Sequence, residues 1–155
     1  MIRKANEKDI PRLIELLSQV LEIHAKIRPD IFVSGKTKYT KEDLLSILSD
    51  EKKMIFVATD ENDMVLGYAF CELKSRPASE YMVQFTSLFI DDLCVDEKAR
   101  GMSLGKKLFE YVKKEAKKLG CYEVTLNVWE GNDSAKAFYD KMGMKAKETQ
   151  MEFIL

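Results

Sequence analysis

Apolar positions along the chain change period several times, and each change marks an element. Ile2-Arg3-Lys4 fits a short first strand. From Asp9 to about His24, the residues Ile10, Leu13, Leu17, Val20, Leu21 and His24 recur at three- and four-residue spacing. That period predicts a helix with Pro11 tolerated in its first turn and a stop at Arg28-Pro29-Asp30. A second, shorter helix is predicted from Lys41 to Leu48, with Thr40 as N-cap and Leu44, Leu45 and Leu48 facing inward. Ile55 to Ala58 reads as a strand, Asp60 to Asp63 as a polar turn and Val65 to Leu73 as the returning strand. After the break at Ser75-Arg76-Pro77, Met82 to Val95 is the longest strand-like segment, and from Phe85 onward apolar side chains at both parities imply burial on both faces. Ser103 to Leu119 is helical, with Leu104, Leu108, Tyr111, Val112, Ala116 and Leu119 as its stripe and Gly120 at its end. Cys121 to Val128 predicts a strand, Asp133 to Lys141 a helix, and Met144 to Leu155 one or two further strands. Leu88 to Val128 is then a β-α-β unit with locally parallel pairing. The expected fold is α/β of the α+β type: a mixed, mostly antiparallel sheet with helices on both faces, in the order β-α-α-β-β-β-α-β-α-β(-β).

Length and composition narrow this picture. One domain spanning residues 1–155 is expected, since no repeat, linker or low-complexity tract divides the chain. Charged residues at 33% with a net charge of −1 offer no bulk attraction to nucleic acid or anionic lipid, so neither is expected as a partner. No apolar run approaches the roughly 20 residues that span a bilayer, and Met1-Ile2-Arg3-Lys4 is not followed by an apolar signal core. Cys71, Cys94 and Cys121 are isolated and odd in number. They fit reduced packing thiols in a cytoplasm better than a disulfide or metal framework, and no metal is expected.

The candidate chemistry lies in Phe89 to Lys106, FIDDLCVDEKARGMSLGK, where an apolar strand runs into a short basic glycine-bearing turn that opens a helix. Backbone N–H groups without intrahelical partners converge at such a point, and the helix dipole adds partial positive charge. An anionic pyrophosphate suits it, although an ordinary strand-to-helix connection uses the same residue types. A phosphate loop of the Walker type needs Lys-Ser/Thr after its last glycine, whereas Gly105 is followed by Lys106-Lys107. A dinucleotide fingerprint needs three glycines, and Ser103 breaks that pattern. Arg100-Gly101-Met102-Ser103-Leu104-Gly105 instead resembles the Arg/Gln-x-x-Gly-x-Gly/Ala signature of the GCN5-related N-acetyltransferases, the GNAT family. Downstream, Asn132-Asp133-Ser134-Ala135-Lys136-Ala137-Phe138-Tyr139-Asp140-Lys141-Met142-Gly143-Met144 is similar to that family's second motif, Asn-x-x-Ala-x-x-x-Tyr-x-x-x-Gly-Phe.

The resemblance implies a site. The main-chain amides from Arg100 through Gly101, Met102, Ser103, Leu104 and Gly105 to Lys106 would hold the pyrophosphate of acetyl-CoA, and Leu93, Cys94 and Val95 would pair with its pantetheine arm as an added strand does. Ser103 departs from the family's glycine, and a positive φ there would strain it by about 1 kcal/mol. Asn132 would cap its helix and help hold the cofactor arm. Tyr139 would be the acid toward the departing sulfur. A thiol near about 8.5 and a phenol near about 10 make full donation uphill by about 2 kcal/mol unless the phenol is lowered, so a hydrogen bond is the expected role. Asp91 and Asp92 sit in an apolar strand, where carboxylates cost several kcal/mol unless paired or wet. By resemblance to polyamine-type members, Asp91 would be the base, with Asp92 as the alternative base or a substrate-binding charge. Adjacent strand residues point to opposite faces, so both serve one site only if a bulge breaks the alternation. A carboxyl near about 3.9 cannot retain a proton from an amine near 10, so the base acts by attracting the cation and ordering water that carries the proton away.

These residues imply an acetyl-CoA-dependent N-acetyltransferase acting on a primary amine by direct attack in a ternary complex, with a small cationic amine as acceptor. A protein N-terminus or lysine is the alternative acceptor. A non-catalytic acyl-CoA sensor or interaction domain is the alternative of another class. The apolar run Met151-Glu152-Phe153-Ile154-Leu155 reads as an unprotected edge strand, and the resembled family often dimerises through its C-terminal strands, so a homodimer is expected.

Overall fold

The computed structural model describes residues 1–155. Strand β1 (Ile2–Lys4) leads through a single 3₁₀ turn into helix α1 (Ile10–Ile27), followed by α2 (Lys41–Ser49), β2 (Lys53–Thr59), β3 (Val65–Arg76) and β4 (Phe85–Val95). A second 3₁₀ turn, Glu97–Ala99, precedes α3 (Leu104–Lys118), β5 (Glu123–Leu126) and α4 (Asp133–Lys141). Local chemistry sets these boundaries. Asn6 and Asp9 form a reciprocal capping box ahead of α1, and Thr40 and Asp43 form another at α2. Gly120 adopts φ +74° just past α3, the left-handed stop that glycine takes without steric cost.

The sheet order is β1-β2-β3-β4-β5. The first three pairings are antiparallel, whereas β4 and β5 run parallel. Two apolar clusters lie on opposite faces. On one, Leu13, Leu16 and Leu17 of α1 and Leu44 of α2 pack on Val57, Tyr68 and Phe70. On the other, Leu104, Leu108 and Val112 of α3 pack on Phe56, Ala69, Leu88 and Ile90. Helices therefore cover both faces of a mixed, mostly antiparallel sheet, as the periodicity predicts. No helix is long and apolar enough to cross a membrane.

Several boundaries depart from the sequence reading: α1 runs on to Ile27, and β3 runs past Leu73 to Arg76, so Ser75 and Arg76 pair with β4 where a break is predicted. The long strand begins at Phe85 instead of Met82, and β5 covers only Glu123–Leu126 of the predicted Cys121 to Val128. The terminal strands predicted from Met144 to Leu155 do not form within the chain. A strand needs a partner for its backbone groups, and after the Met144 N–H to Tyr139 carbonyl bond the tail gives no backbone hydrogen bond to the rest of the chain. Salt bridges hold it instead, Lys147 to Glu123 at 2.8 Å and Arg28 to Glu152 at 2.5 Å. Phe153 is left 87% exposed and Ile154 73% exposed.

Candidate active site

The site begins with an irregularity in β4. Phe70 pairs with Asp92 and the next residue, Cys71, pairs with Ile90, so Asp91 is an extra residue without a partner on β3. Ile90 faces α3. Tyr68, Phe70 and Cys94 face α1 and α2, and Asp92, opposite Phe70, lies on their side. The bulge inverts the alternation at this point and brings Asp91 to that side as well. Two carboxylates adjacent in sequence thus share one face, the condition under which both serve one site.

Each carboxylate has its own donors. Asp91 accepts from the Tyr39 hydroxyl at 2.6 Å and from Lys38 Nζ at 2.9 Å, both carried by the segment between α1 and α2. Asp92 accepts from the hydroxyl of the fully buried Tyr68 at 2.8 Å. Burial pushes the Asp92 carboxyl up to about 6, although the Tyr68 bond and the Lys38 charge oppose that shift. The Tyr39 phenol is raised by burial and by its bond to Asp91, so it donates and stays protonated. Lys38, Tyr39 and Tyr68 were not legible as site residues, because a loop and a β3 position reach the aspartates only through the fold. Burial pushes the thiols of Cys71 and Cys94 up to about 12, which makes both poor nucleophiles.

Past the bulge, the second edge of β4 is open. β5 pairs with Ser87–Ile90 only, and Leu93, Cys94 and Val95 hydrogen-bond to β3 alone. The strand then enters a turn anchored from below. Arg12 of α1 forms an ion pair with the buried Asp96, which also accepts the Lys98 amide at 3.1 Å. Burial works against the Asp96 charge, but the amide and the guanidinium outweigh it and hold the carboxyl below its usual range. From Arg100 to Lys106 no backbone N–H is given to an acceptor in the chain, and the first helical bond comes from Lys107 to the Ser103 carbonyl at 3.1 Å. Gly101 and Ser103 both have positive φ, +89° and +58°, and Ser103 makes no side-chain cap bond. A run of bare amides before a helix of this length suits a phosphate group, so the residues present fit the pyrophosphate of coenzyme A. Gly105 has a second reason to be glycine. A Cβ there would stand 3.2 Å and 3.3 Å from the Phe138 ring, so α3 and α4 meet at that point.

Tyr139 lies on α4 beside Phe138 and Phe109, with ring centroids 5.0 Å and 6.2 Å away. It packs against the α3-side cluster. Burial raises its phenol further above the ordinary value, and the charge of Asp92 adds to the effect. The phenol is therefore no easier to ionise than a free one, which favours donation of a hydrogen bond over full proton release. Asn132 caps α4, its side chain accepting the Ala135 amide at 3.4 Å. A wall of His24, Phe32 and Trp129 connects the end of α1 to the segment after β5, with centroid separations of 5.2 Å and 5.3 Å. His24 is a packed ring whose protonation is disfavoured by burial and by Lys38.

A mixed sheet opened between two parallel strands, with bare amides at one end of the opening and two carboxylates beside it, is an α/β domain whose cleft suits a phosphate-bearing ligand. The model of the acetyltransferase (GNAT) family matches residues 17–144, and the chain belongs to that family. It is 44% identical over 62 residues to glucosamine 6-phosphate N-acetyltransferase of Arabidopsis thaliana, a match covering 40% of this chain and 40% of that protein's length. It is 32% identical over 116 residues to the 5-NmdU N-acetyltransferase of Pseudomonas phage PaMx11, covering 72% of this chain and 74% of that one. Among solved structures, a mutant of the BH1408 protein of Bacillus halodurans superposes with a TM-score of 0.96 at 34% identity, covering 100% of this chain and 99% of the other.

Proposed function

We propose that this chain is an acetyl-CoA-dependent N-acetyltransferase that acetylates a small primary amine, cationic in solution, by direct attack in a ternary complex. The observation that carries the reading is the bulge at Asp91, which sets two carboxylates on one face directly before the open edge Leu93–Val95 and the bare amide turn. Acetyl-CoA supplies the activated acetyl thioester. The amides from Arg100 to Lys106 take its pyrophosphate, with Lys98, Arg100 and Lys106 as basic neighbours. The free edge of Leu93, Cys94 and Val95 pairs with the pantetheine arm, and the Asn132 amide supports it from α4. Asp91 and Asp92 draw in the ammonium, and water ordered at Asp91 carries its proton to bulk. The neutral amine then attacks the thioester carbonyl. Tyr139 donates a hydrogen bond to the departing sulfur, which leaves as the thiol once solvent supplies a proton.

The family and two relatives, named for glucosamine 6-phosphate and for 5-NmdU, support an amine acceptor of small size. The test is thiol release from acetyl-CoA with a panel of polyamines, amino sugars with and without phosphate, aminonucleosides and lysine or N-terminal peptides. Turnover with a small amine is the expected result. Turnover with peptides alone would move the acceptor to protein, and tight acetyl-CoA binding without release for any amine would favour the sensor reading.

We further infer a cytoplasmic homodimer. The isolated thiols support the compartment. The exposed apolar side chains of Met151, Phe153, Ile154 and Leu155, together with a tail whose backbone has no partner in its own chain, support the assembly. Light scattering that returns the monomer mass of 17.9 kDa at micromolar concentration would overturn it.

A further inference from the structure

We propose that Lys38 is itself an acetyl acceptor, so that with no external amine bound the protein acetylates its own α1–α2 segment at Lys38 Nζ. The inference rests on the acetyltransferase reading above. Lys38 carries a primary amine, the functional group that such a site accepts, and its Nζ lies 2.9 Å from Asp91 Oδ2. Asp91 is the carboxylate that the bulge exposes next to the open edge of β4. A cationic acceptor would present its ammonium to the same carboxylate, so Lys38 holds the place that the acceptor takes. Its neighbour Tyr39 is fixed to Asp91 by its hydroxyl at 2.6 Å and stacks on Phe70 at 5.6 Å. The backbone next to Lys38 is therefore pinned at the site, and the lysine is not a chance visitor from a remote surface.

Reach is sufficient. Asp91 precedes Leu93 by two strand positions, about 7 Å along the strand, and a lysine has a flexible four-carbon stem. Lys38 is still 42% exposed, so its side chain can pivot off Asp91 without disturbing the core. The step balances as the intermolecular one does. Lys38 Nζ loses a proton to water ordered by Asp91 and attacks the thioester carbonyl. A C–N bond forms and the C–S bond breaks, leaving N-acetyl-lysine, free coenzyme A thiol and one proton released to solvent. Acetylation removes the charge that pairs with Asp91, and the carboxylate is then free for an external amine.

Uncatalysed acetylation would give a different pattern. Lys38 Nζ is engaged by Asp91 at 2.9 Å, so without catalysis it should meet a thioester no more readily than a freely exposed lysine. Lys36, exposed two residues away, is the internal reference.

The experiment incubates the full chain with isotopically labelled acetyl-CoA and follows each lysine by peptide mass spectrometry over time. Lys38 should acquire label at least tenfold faster than Lys36, at a rate independent of protein concentration. An excess of a turned-over amine should suppress it, and Asp91→Asn should slow it. Lys38→Arg should remove the fast site while thermal unfolding shows the fold retained. Label on Lys38 no faster than on Lys36 overturns the proposal. If amines are acetylated while Lys38 stays unlabelled, self-acetylation falls and the acetyltransferase reading stands. If neither Lys38 nor any amine takes label although the chain binds acetyl-CoA, both fall.

Discussion

Replacing Ser103 by glycine tests the geometry of the turn at a single backbone position. Ser103 holds φ +58° and ψ +24°, the left-handed region, at the N-cap of α3, and its side chain forms no cap bond. A non-glycine residue pays roughly 1–2 kcal/mol there, because Cβ approaches the following carbonyl oxygen. Glycine removes that strain, but its freer unfolded chain offsets about 0.4–1 kcal/mol of the gain. With no hydrogen bond lost, Ser103→Gly should stabilise the protein by about 0.5–1 kcal/mol, or about 1–4 °C in Tm for a chain of this size. Ser103→Ala is the control, since it removes the hydroxyl, keeps Cβ and should leave Tm nearly unchanged. Thermal unfolding followed by circular dichroism without ligand reads both. A Tm for the glycine variant at or below that of the alanine variant would refute the strain argument. Calorimetry with coenzyme A separates the remaining role of the hydroxyl. Affinity kept in both variants leaves the amides as the binding groups, and a large loss in both assigns a contact to Oγ.

Tyr139→Phe removes one hydroxyl from a packed ring, so Tm should change little while turnover falls by roughly 10–1,000-fold; equal turnover would leave Tyr139 as packing alone. Asp92 carries a pH signature: with its folded carboxyl at about 6 and an unfolded value near about 3.9, the folded state binds the extra proton between those values. Stability therefore falls as pH rises from about 4 to 6, and Asp92→Asn, which still accepts from Tyr68, should be the more stable protein at pH 7 by up to about 2–3 kcal/mol, with the gap closing near pH 4. Denaturant unfolding at the two pH values checks this, and a gap that does not depend on pH would refute it. Gly105→Ala sets overpacking against the Phe138 ring, about 1–3 kcal/mol, against a helix-propensity gain of about 1 kcal/mol within α3, so a net loss of up to about 2 kcal/mol is expected, and Phe138→Leu in that background should recover part of it; an unchanged or raised Tm in the single variant would mean that α4 yields freely.

Much of this architecture is legible from local pattern. The three- and four-residue stripes of α1 and α3 point inward as their period requires, except Leu119, which falls past the end of α3 and is exposed, and both capping boxes are written within four consecutive residues. The Arg100 to Gly105 wording and the Asn132 to Met144 wording suffice for the family, because they encode a turn and a helix start, which are local structures. Three things needed tertiary structure. Strand parity places Asp91 and Asp92 on opposite faces until a bulge intervenes, and the bulge exists only as a mismatch of register between two strands far apart in sequence. Lys38, Tyr39 and Tyr68 join the carboxylates through contacts between distant segments, which no spacing within one element records. The tail has the apolar pattern of a strand and yet forms none in its own chain, because a strand is completed by a partner edge and not by its own residues. Periodicity is a property of neighbours along the chain and therefore legible in sequence. Pairing, register and the convergence of side chains are properties of neighbours in space, and only the folded molecule decides them.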